Sequence, residues 1–187
     1  SSDQGFYIGD HGWYDKRWMY EESLKMPFIV SWPGVTKSGS RDHHLIQNID
    51  YAETFLDIAG AKIPSDMQGR SLVPLLKGQS PKNWRTSIYY HYYEYPSFHM
   101  VPRHYGIRTE RYKLMHFYRF GNEWEMYDLQ KDPDELTNLY GKKGTAQLTG
   151  DLKKQLYALQ KHYGDESDLS EMPKEWKDKV RPGTAQK

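Results

Sequence analysis

Apolar residues recur at helical spacing in one long stretch near the end of the chain. The recurring positions, at intervals of three and four residues, are Leu148, Leu152, Leu156, Leu159 and Tyr163. This spacing predicts an amphipathic helix over residues 145–163, with one apolar face that packs on a sheet.

Between residues 84 and 128 the pattern is instead that of β-strands. The stretch RTSIYYHYYEYP is followed by HYGIRTERYKLMHFYRF and then by EWEMYDLQKDPDE. The middle stretch alternates on either side of TERY, which predicts a hairpin. In IYYHYYEYP the same alternation places His91 and Glu94 on opposite faces, so only one of them is expected to face a pocket.

Shorter elements are predicted in the first part of the chain. Residues 1–16 show neither the helical nor the strand spacing of apolar residues, which predicts a loop. For residues 17–24 the sequence predicts a short helix that ends before the next proline. The run PFIVSWPG, residues 27–34, is apolar and closed by a Pro-Gly turn, which is typical of a buried strand in an α/β sheet.

A second helix and a second apolar segment follow. The helix is capped by Asn48 or Asp50 and stops at Gly60. The segment GRSLVPLLKG, residues 69–78, is interrupted by a proline.

These elements together predict an α/β fold with a small antiparallel sheet plus helix subdomain. The alternating strands and helices that build a parallel sheet are almost missing, so the core of such a sheet is expected outside this chain. The predicted organisation is the end of an α/β domain over residues 1–80, the subdomain over residues 81–165, and a loosely packed tail over residues 166–187.

Composition narrows the classes of function. The net charge is +1 and no long run of Lys or Arg occurs, which argues against nucleic acid as a partner. No apolar stretch approaches the ~20 residues of a membrane span. The absence of cysteine removes disulfides, zinc–thiolate sites and cysteine nucleophiles. Aromatic residues make up 15% of the chain, which suits a sheet core better than a sugar-stacking surface.

Candidate chemistry is concentrated in the opening loop. Asp3 and Gln4 offer hard oxygen donors of the kind that Ca²⁺ or Mg²⁺ takes. His11 and Lys16 follow shortly afterwards, and an ammonium group beside a hard cation suits an oxyanion ester. Taken singly, the same residues are equally typical of a turn, a hydrogen-bonded loop histidine and a paired surface lysine.

The opening stretch SDQGFYIGDHGWYDKRWMYEESLKMPFIVSWPG resembles the C-terminal motif of type I sulfatases of the alkaline-phosphatase superfamily. That motif has an S/T-D-x-G start, a G-x-H-G, a lysine, a Y-E pair, and a hydrophobic strand ending in P-G. The resemblance continues through GRSLVPLLKG, YGIRTERYKLMHFY and EMYDLQKDPDELTNLY, and so covers most of the chain. The sequence of these motifs is most similar to bacterial N-acetylglucosamine-6-sulfatase-type members, which act on glycosaminoglycans.

The resemblance implies roles for four residues of the opening loop. Asp3 and Gln4 match two ligands of the single divalent metal, usually calcium, with Gln as a variant of the more common Asn or His. Lys16 matches the lysine that touches the sulfate ester, and His11 matches the histidine of G-x-H-G, so both are candidate catalytic residues. The cation and the lysine would stabilise charge on the sulfuryl oxygens.

Three residues of the subdomain are candidates for substrate binding. They are His91, Arg103 and His104, because the family's C-terminal subdomain often contributes to the mouth of the pocket. For each of them a surface position or a satisfied core position is the alternative.

The resemblance also implies a missing nucleophile. Type I sulfatases attack with a formylglycine made from the Cys or Ser of a C/S-x-P-x-R motif, and no residue of this chain begins one. The chain therefore resembles the C-terminal portion of a sulfatase, expected to be inactive alone and to need the N-terminal half or an oligomer partner. A periplasmic or extracellular location is implied by the resemblance only.

Two other functions remain open at this point. One is a phosphodiesterase or phosphonate hydrolase of the same superfamily. The other is a non-catalytic module that binds sulfated carbohydrate.

Overall fold

The computed structural model describes residues 1–118 and 122–165, and the chain divides into two compact units. The first unit comprises residues 1–4 and 26–87, and the second comprises residues 5–25 together with the chain from residue 88 onward. Residues 5–25 therefore pack with the antiparallel sheet, whereas the predicted division at residue 80 grouped them with the α/β portion. The predicted tail lies outside the described residues.

The second unit is built on a four-stranded antiparallel sheet in the order β3-β4-β5-β6. Its strands are β3 (Ser87–Tyr92), β4 (His104–Thr109), β5 (Tyr112–Phe117) and β6 (Glu123–Asp128). The hairpin predicted at TERY is confirmed, since Ile107 pairs with Leu114 and Arg108 pairs with Lys113 across it.

One face of this sheet is covered by the long helix αC (Ala146–His162), which carries the recurring leucines, as the spacing predicts. The buried apolar residues of this layer come from β4, β5, β6 and αC, and they are Tyr105, Ile107, Leu114, Met126, Leu152 and Leu156. Each leucine buried in this way contributes roughly 1.5–3 kcal/mol.

The opposite face of the sheet is covered by residues 5–25. This segment holds a short hairpin of β1 (Tyr7–Ile8) and β2 (Tyr14–Asp15), a 3₁₀ turn over Asp10–Gly12 between them, and a four-residue helix αA (Glu21–Leu24). The predicted helix over residues 17–24 is therefore shorter than expected, because Tyr20 is extended. The buried apolar residues of this layer are Tyr7, Met19, Tyr20, Met115, Phe117 and Tyr127.

A glycine in β4 allows the segment to lie close to the sheet. A Cβ atom on Gly106 would lie 2.6 Å from the sulfur of Met19 and 2.5 Å from the carbonyl oxygen of Leu114. Both distances are shorter than van der Waals contact, so only glycine fits between the two layers here.

The first unit contains the predicted second helix, αB (Asp50–Ile58), and a single helical turn over Val73–Leu76. The prediction of a strand over residues 27–34 is wrong for the described residues, since this segment forms no strand and pairs with none. Both buried apolar clusters found among the described residues lie in the second unit.

The carboxylate of Asp50 organises the first unit. Asp50 is fully buried and accepts hydrogen bonds from the backbone N–H groups of Gln47 at 2.7 Å and Arg70 at 2.9 Å. The guanidinium of Arg85 binds both of its oxygens, with Nη2 to Oδ1 at 2.6 Å. The segment GRSL is therefore fixed to αB through a buried and fully bonded charge.

Among the helices of residues 1–118 and 122–165, none combines the length and the apolar character that crossing a bilayer requires.

Candidate active-site segment

The start of the second unit lies directly against αA. The N–H of Gly5 donates to the carbonyl oxygen of Ser23 at 2.7 Å. A Cβ atom at Gly5 would lie 1.8 Å from the carbonyl oxygen of Glu22. The glycine of the D-Q-G sequence is thus required by close backbone approach.

Lys16 is held by the same short helix. The hydroxyl of Ser23 donates to the carbonyl oxygen of Lys16 at 2.6 Å, and the lysine side chain is half-buried. On one side of it, Asp15 has a positive φ of 98° and binds Nη1 of Arg17 at 2.5 and 2.6 Å. A residue other than glycine in this conformation is strained, and such strain is common at functional sites.

His11 is also held by residues of this region. It lies in the 3₁₀ turn with a positive φ of 54°, and its ring stacks on Tyr20 with centroids 4.3 Å apart. Its Nε2 lies 3.4 Å from Oε2 of Glu22, and both side chains are mostly buried. Glu22 therefore places a carboxylate beside the imidazole, although its Oε2 forms no hydrogen bond among the described residues.

The helix αA is itself anchored in the sheet by a group of buried charges. Nζ of Lys113, on β5, lies 2.9 Å from Glu21 and 2.8 Å from Glu135. Glu135 also accepts the backbone N–H of Glu21 at 2.7 Å, and Arg108 binds the Glu21 carboxylate at 3.0 Å. Lys113 and Glu135 are fully buried, so the DPDE turn that supplies Glu135 stabilises the helix behind Lys16.

The two carboxyl groups of this cluster titrate in opposite directions. Burial alone would raise the pKa of Glu21, but Lys113 and Arg108 together lower it to about 2. Glu135 lacks the arginine, so burial outweighs the attraction of Lys113 and raises the pKa of its carboxyl. Glu21 is therefore the carboxylate that carries the negative charge most firmly.

Asp3 and Gln4 belong to the first unit. The carbonyl oxygen of Asp3 accepts a hydrogen bond from the side-chain amide of Asn48, and the hydroxyl of Ser2 lies 3.2 Å from Oδ1 of Asp3. The side chain of Asp3 is exposed and that of Gln4 is half-exposed.

The donor set of this pair fits part of a calcium site. Calcium takes six to eight oxygen ligands, and the carboxylate of Asp3 with the amide oxygen of Gln4 supplies oxygens of the correct kind. Within the described residues, no group of three or more His, Cys, Asp or Glu side chains is placed to hold a metal. The fit is therefore partial, and the remaining ligands would come from outside this set.

The structure places His91 on the αC face of β3, which is opposite to the face that carries residues 5–25. Its Nδ1 lies 2.6 Å from the carboxylate of Asp165, and its Nε2 lies 3.1 Å from the hydroxyl of Tyr118. Burial lowers the pKa of His91, although the Asp165 carboxylate opposes this. The imidazole thus joins the end of αC to the edge of the sheet, and its role in substrate binding stays a prediction.

His104 and Arg103 lie at the start of β4. His104 is fully buried, on the same face as Lys16, and its ring packs against Trp18 and Phe117 with centroids 5.9 and 5.0 Å away. Its Nδ1 lies 2.8 Å from the carbonyl oxygen of Pro102, and burial lowers its pKa to about 4. Arg103 is half-buried. Roles for both in substrate binding likewise stay predictions.

Sequence reasoning did not assign roles to Glu21, Glu22 and Ser23. Together with Tyr20 these residues form the Y-E-E-S run of the motif. Each of the three residues has its own contact. Glu22 lies beside His11, Ser23 binds the carbonyl oxygen of Lys16, and Glu21 pairs with Lys113 of the sheet. A signal was present, because two adjacent acidic residues at the start of an otherwise short helix are typical of a charged N-terminal turn.

Comparison with known proteins decides the family. The family described as N-sulphoglucosamine sulphohydrolase, C-terminal, matches residues 9–162. This chain belongs to that family. The predicted resemblance to sulfatases is thereby confirmed, as is the assignment to the C-terminal part of the fold.

Individual relatives agree with the family. The chain is 52% identical over 167 residues to an N-acetylglucosamine-6-O-sulfatase of Bacteroides thetaiotaomicron, with 88% of this chain and 30% of that protein covered. Among solved structures it matches BT4656 in complex with its substrate D-glucosamine-2-N,6-O-disulfate, with a TM-score of 0.85 and 50% identity over 89% of this chain and 34% of the other.

A more distant structural match is an enzyme with a different named activity. The phosphonate monoester hydrolase SpPMH of Silicibacter pomeroyi matches with a TM-score of 0.74 and 25% identity, over 86% of this chain and 33% of that one. The predicted α/β fold of the alkaline-phosphatase-like sulfatases is confirmed by these matches. The chain spans about a third of the length of the relatives it matches.

Proposed function

We propose that this chain is the part of a carbohydrate sulfatase that supplies the sulfate-binding lysine and two oxygen ligands of a divalent cation. The substrate class is a sulfate ester of a glucosamine-containing glycosaminoglycan, hydrolysed at the 6-O position. The formylglycine nucleophile would come from the part of the enzyme that lies outside this sequence.

One observation supports this proposal above the others. The short helix αA contacts both candidate catalytic residues, through the Ser23 hydroxyl on the Lys16 backbone carbonyl and the Glu22 carboxylate beside His11. A lysine and a histidine carried by one anchored segment suit the electrostatic stabilisation of an oxyanion. The 52% identity to an N-acetylglucosamine-6-O-sulfatase favours the same chemistry.

The four candidate residues would divide the chemistry. The ammonium of Lys16 would donate hydrogen bonds to the sulfate oxygens, and the imidazole of His11, beside the Glu22 carboxylate, would hold a proton near the ester oxygen. Asp3 and Gln4 would bind calcium, which when bound supplies positive charge beside the sulfate.

The test is a chimaera in which this chain replaces the matching segment of the B. thetaiotaomicron N-acetylglucosamine-6-O-sulfatase. We expect the chimaera to release sulfate from N-acetylglucosamine 6-sulfate. Lys16→Ala should lower kcat/KM by about 100-fold or more, because one preorganised donor to an oxyanion contributes that much.

The matched control is Lys25→Ala, since Lys25 is an exposed lysine of the same segment. It should leave kcat/KM within about twofold. A folded chimaera that hydrolyses a phosphonate monoester but no sulfate ester would contradict the proposal, and so would equal activity of the Lys16→Ala and Lys25→Ala variants.

A further inference from the structure

The backbone that carries Lys16 belongs to no regular element. Residues 16–20 lie between strand β2 and helix αA, and they form neither helix nor strand. They follow directly on Asp15, whose positive φ of 98° is a strained conformation for a residue other than glycine. Such a conformation persists only where the surrounding structure over-determines it. Contacts of residues 16–20 therefore have to provide what a helix or a sheet would otherwise supply.

Side-chain hydroxyl groups bind the first two carbonyl oxygens of this segment. The hydroxyl of Ser23 donates to the carbonyl oxygen of Lys16 at 2.6 Å. The hydroxyl of Tyr90, on β3, donates to the carbonyl oxygen of Arg17 at 3.0 Å. The peptide groups on the C-terminal side of Lys16 are thus bonded to two different elements of the second unit.

The next carbonyl oxygen is bound in the same way. The hydroxyl of Tyr7, on β1, donates to the carbonyl oxygen of Trp18 at 3.0 Å. The same hydroxyl oxygen accepts the backbone N–H of Tyr20 at 3.1 Å. Three consecutive carbonyl oxygens are therefore each bound by a side-chain hydroxyl, and the third hydroxyl also closes the turn that leads into αA.

The three hydroxyl groups are themselves firmly placed. Ser23 and Tyr7 are fully buried. The ring of Tyr90 stacks on that of His104, with centroids 5.6 Å apart and planes within 27°. Because the donors lie on αA, β1 and β3, the segment cannot shift relative to the sheet without breaking bonds to separate elements.

We propose that Tyr90 and Tyr7, together with Ser23, are positioning residues for Lys16, and that they act by fixing the backbone of residues 16–18. This inference rests on the proposed function for the role of the Lys16 ammonium. A charged donor stabilises a transition state most when it is already in place before the reaction. A displacement of about 1 Å in a reacting group can cost about 100-fold in rate, so the bonds behind Lys16 matter for the chemistry.

The first test compares two tyrosine variants in the chimaera described above. Tyr90→Phe keeps the ring and removes the hydroxyl. It should lower kcat by about tenfold and leave KM within about twofold, since the positioned charge acts mainly in the transition state. The matched control is Tyr140→Phe, at a half-buried tyrosine of the same unit whose hydroxyl binds Nζ of Lys153 at 2.8 Å. It should leave kcat within about twofold, and equal kcat values of the two variants would overturn the proposal.

A double-mutant cycle separates positioning from a purely structural role. In a chimaera that already carries Lys16→Ala, Tyr90→Phe should lower kcat no further, because the group that it positions is gone. A hydroxyl that only stabilised the fold would lower kcat equally in both backgrounds. A further loss of about tenfold in the Lys16→Ala background would therefore overturn the proposal.

Hydrogen exchange tests the backbone contacts on the full chain without using activity. Tyr90→Phe and Tyr7→Phe should each speed the exchange of the amides of residues 17–20 by about fivefold or more, as expected for the loss of a hydrogen bond. The amides of αC serve as the internal reference and should be unchanged. Unchanged exchange over residues 17–20, or equal acceleration in αC, would overturn the proposal.

The two proposals fail in distinguishable ways. A chimaera that releases no sulfate would reject the proposed function, and hydrogen exchange would then decide alone whether the hydroxyls hold residues 16–18. An active chimaera that loses activity with Lys16→Ala but not with Tyr90→Phe would reject the positioning role alone.

Discussion

The buried imidazole of His104 should make the stability of the second unit depend on pH. Its pKa is about 4 in the folded chain against 6.5 for the free side chain, because burial disfavours the imidazolium. The stabilisation that the neutral ring provides is present above pH 6.5 and is lost as the pH falls toward 4. This lowering of the pKa corresponds to roughly 3 kcal/mol in total, and to roughly 1 kcal/mol between pH 8 and pH 5.5.

The variant that isolates this contribution is His104→Phe. Phenylalanine preserves the packing against Trp18 and Phe117 but cannot bind the carbonyl oxygen of Pro102, which costs about 1 kcal/mol at every pH. The free energies of unfolding of the two proteins are measured by urea denaturation at pH 8 and pH 5.5. Other histidines occur in both proteins, so their titration cancels in the difference.

The unsubstituted chain should lose roughly 1 kcal/mol more than the variant over this pH range. A difference between the two proteins that does not change with pH would refute the reasoning. It would mean that the pKa of His104 is the same in the folded and the unfolded chain.

Two further substitutions have clear expected outcomes. Lys113→Met should destabilise the chain by about 3–5 kcal/mol in urea denaturation, because it leaves Glu135 buried without its cation. The double variant with Glu135→Gln should recover part of the loss, and no recovery would count against charge as the cause. Gly5→Ala should lower the stability by about 1–3 kcal/mol and should also lower the sulfatase activity of the chimaera, since the added methyl group meets the carbonyl oxygen of Glu22. Gly150→Ala, where no atom lies within 4 Å of the added methyl group, should instead stabilise the chain by about 0.5–1 kcal/mol. Equal effects of the two glycine substitutions would exclude close approach as the reason.

Local pattern was sufficient to predict the central hairpin and the long helix of the second unit. The alternation around TERY gave the hairpin of β4 and β5, and the leucine spacing gave αC within a residue of its ends. Each of these elements buries one apolar face against a partner in the same chain. The spacing of its apolar residues therefore predicts both its secondary structure and its buried face.

The same reasoning failed where the environment lies elsewhere. The run PFIVSWPG has the composition of a buried strand, but no strand pairs with it in the described chain. Composition indicates the environment for which a segment is suited, and among the described residues no strand lies beside this one.

The candidate site was predicted in part. The motif located His11 and Lys16, but the contacts of Glu22 and Ser23 that hold them depend on a four-residue helix whose position no periodicity predicts. The burial of Lys113 was also unpredictable, since a lysine in an alternating strand is normally assigned to the solvent face.

That lysine has a consequence for how the sheet aligns during folding. On β5, Lys113 and Met115 face αA, while Leu114 faces αC. A shift of the strand by one residue would place the ammonium among leucines and a leucine among carboxylates. Misaligned pairings of this hairpin are therefore penalised by an uncompensated charge, and a single arrangement of the strands is selected.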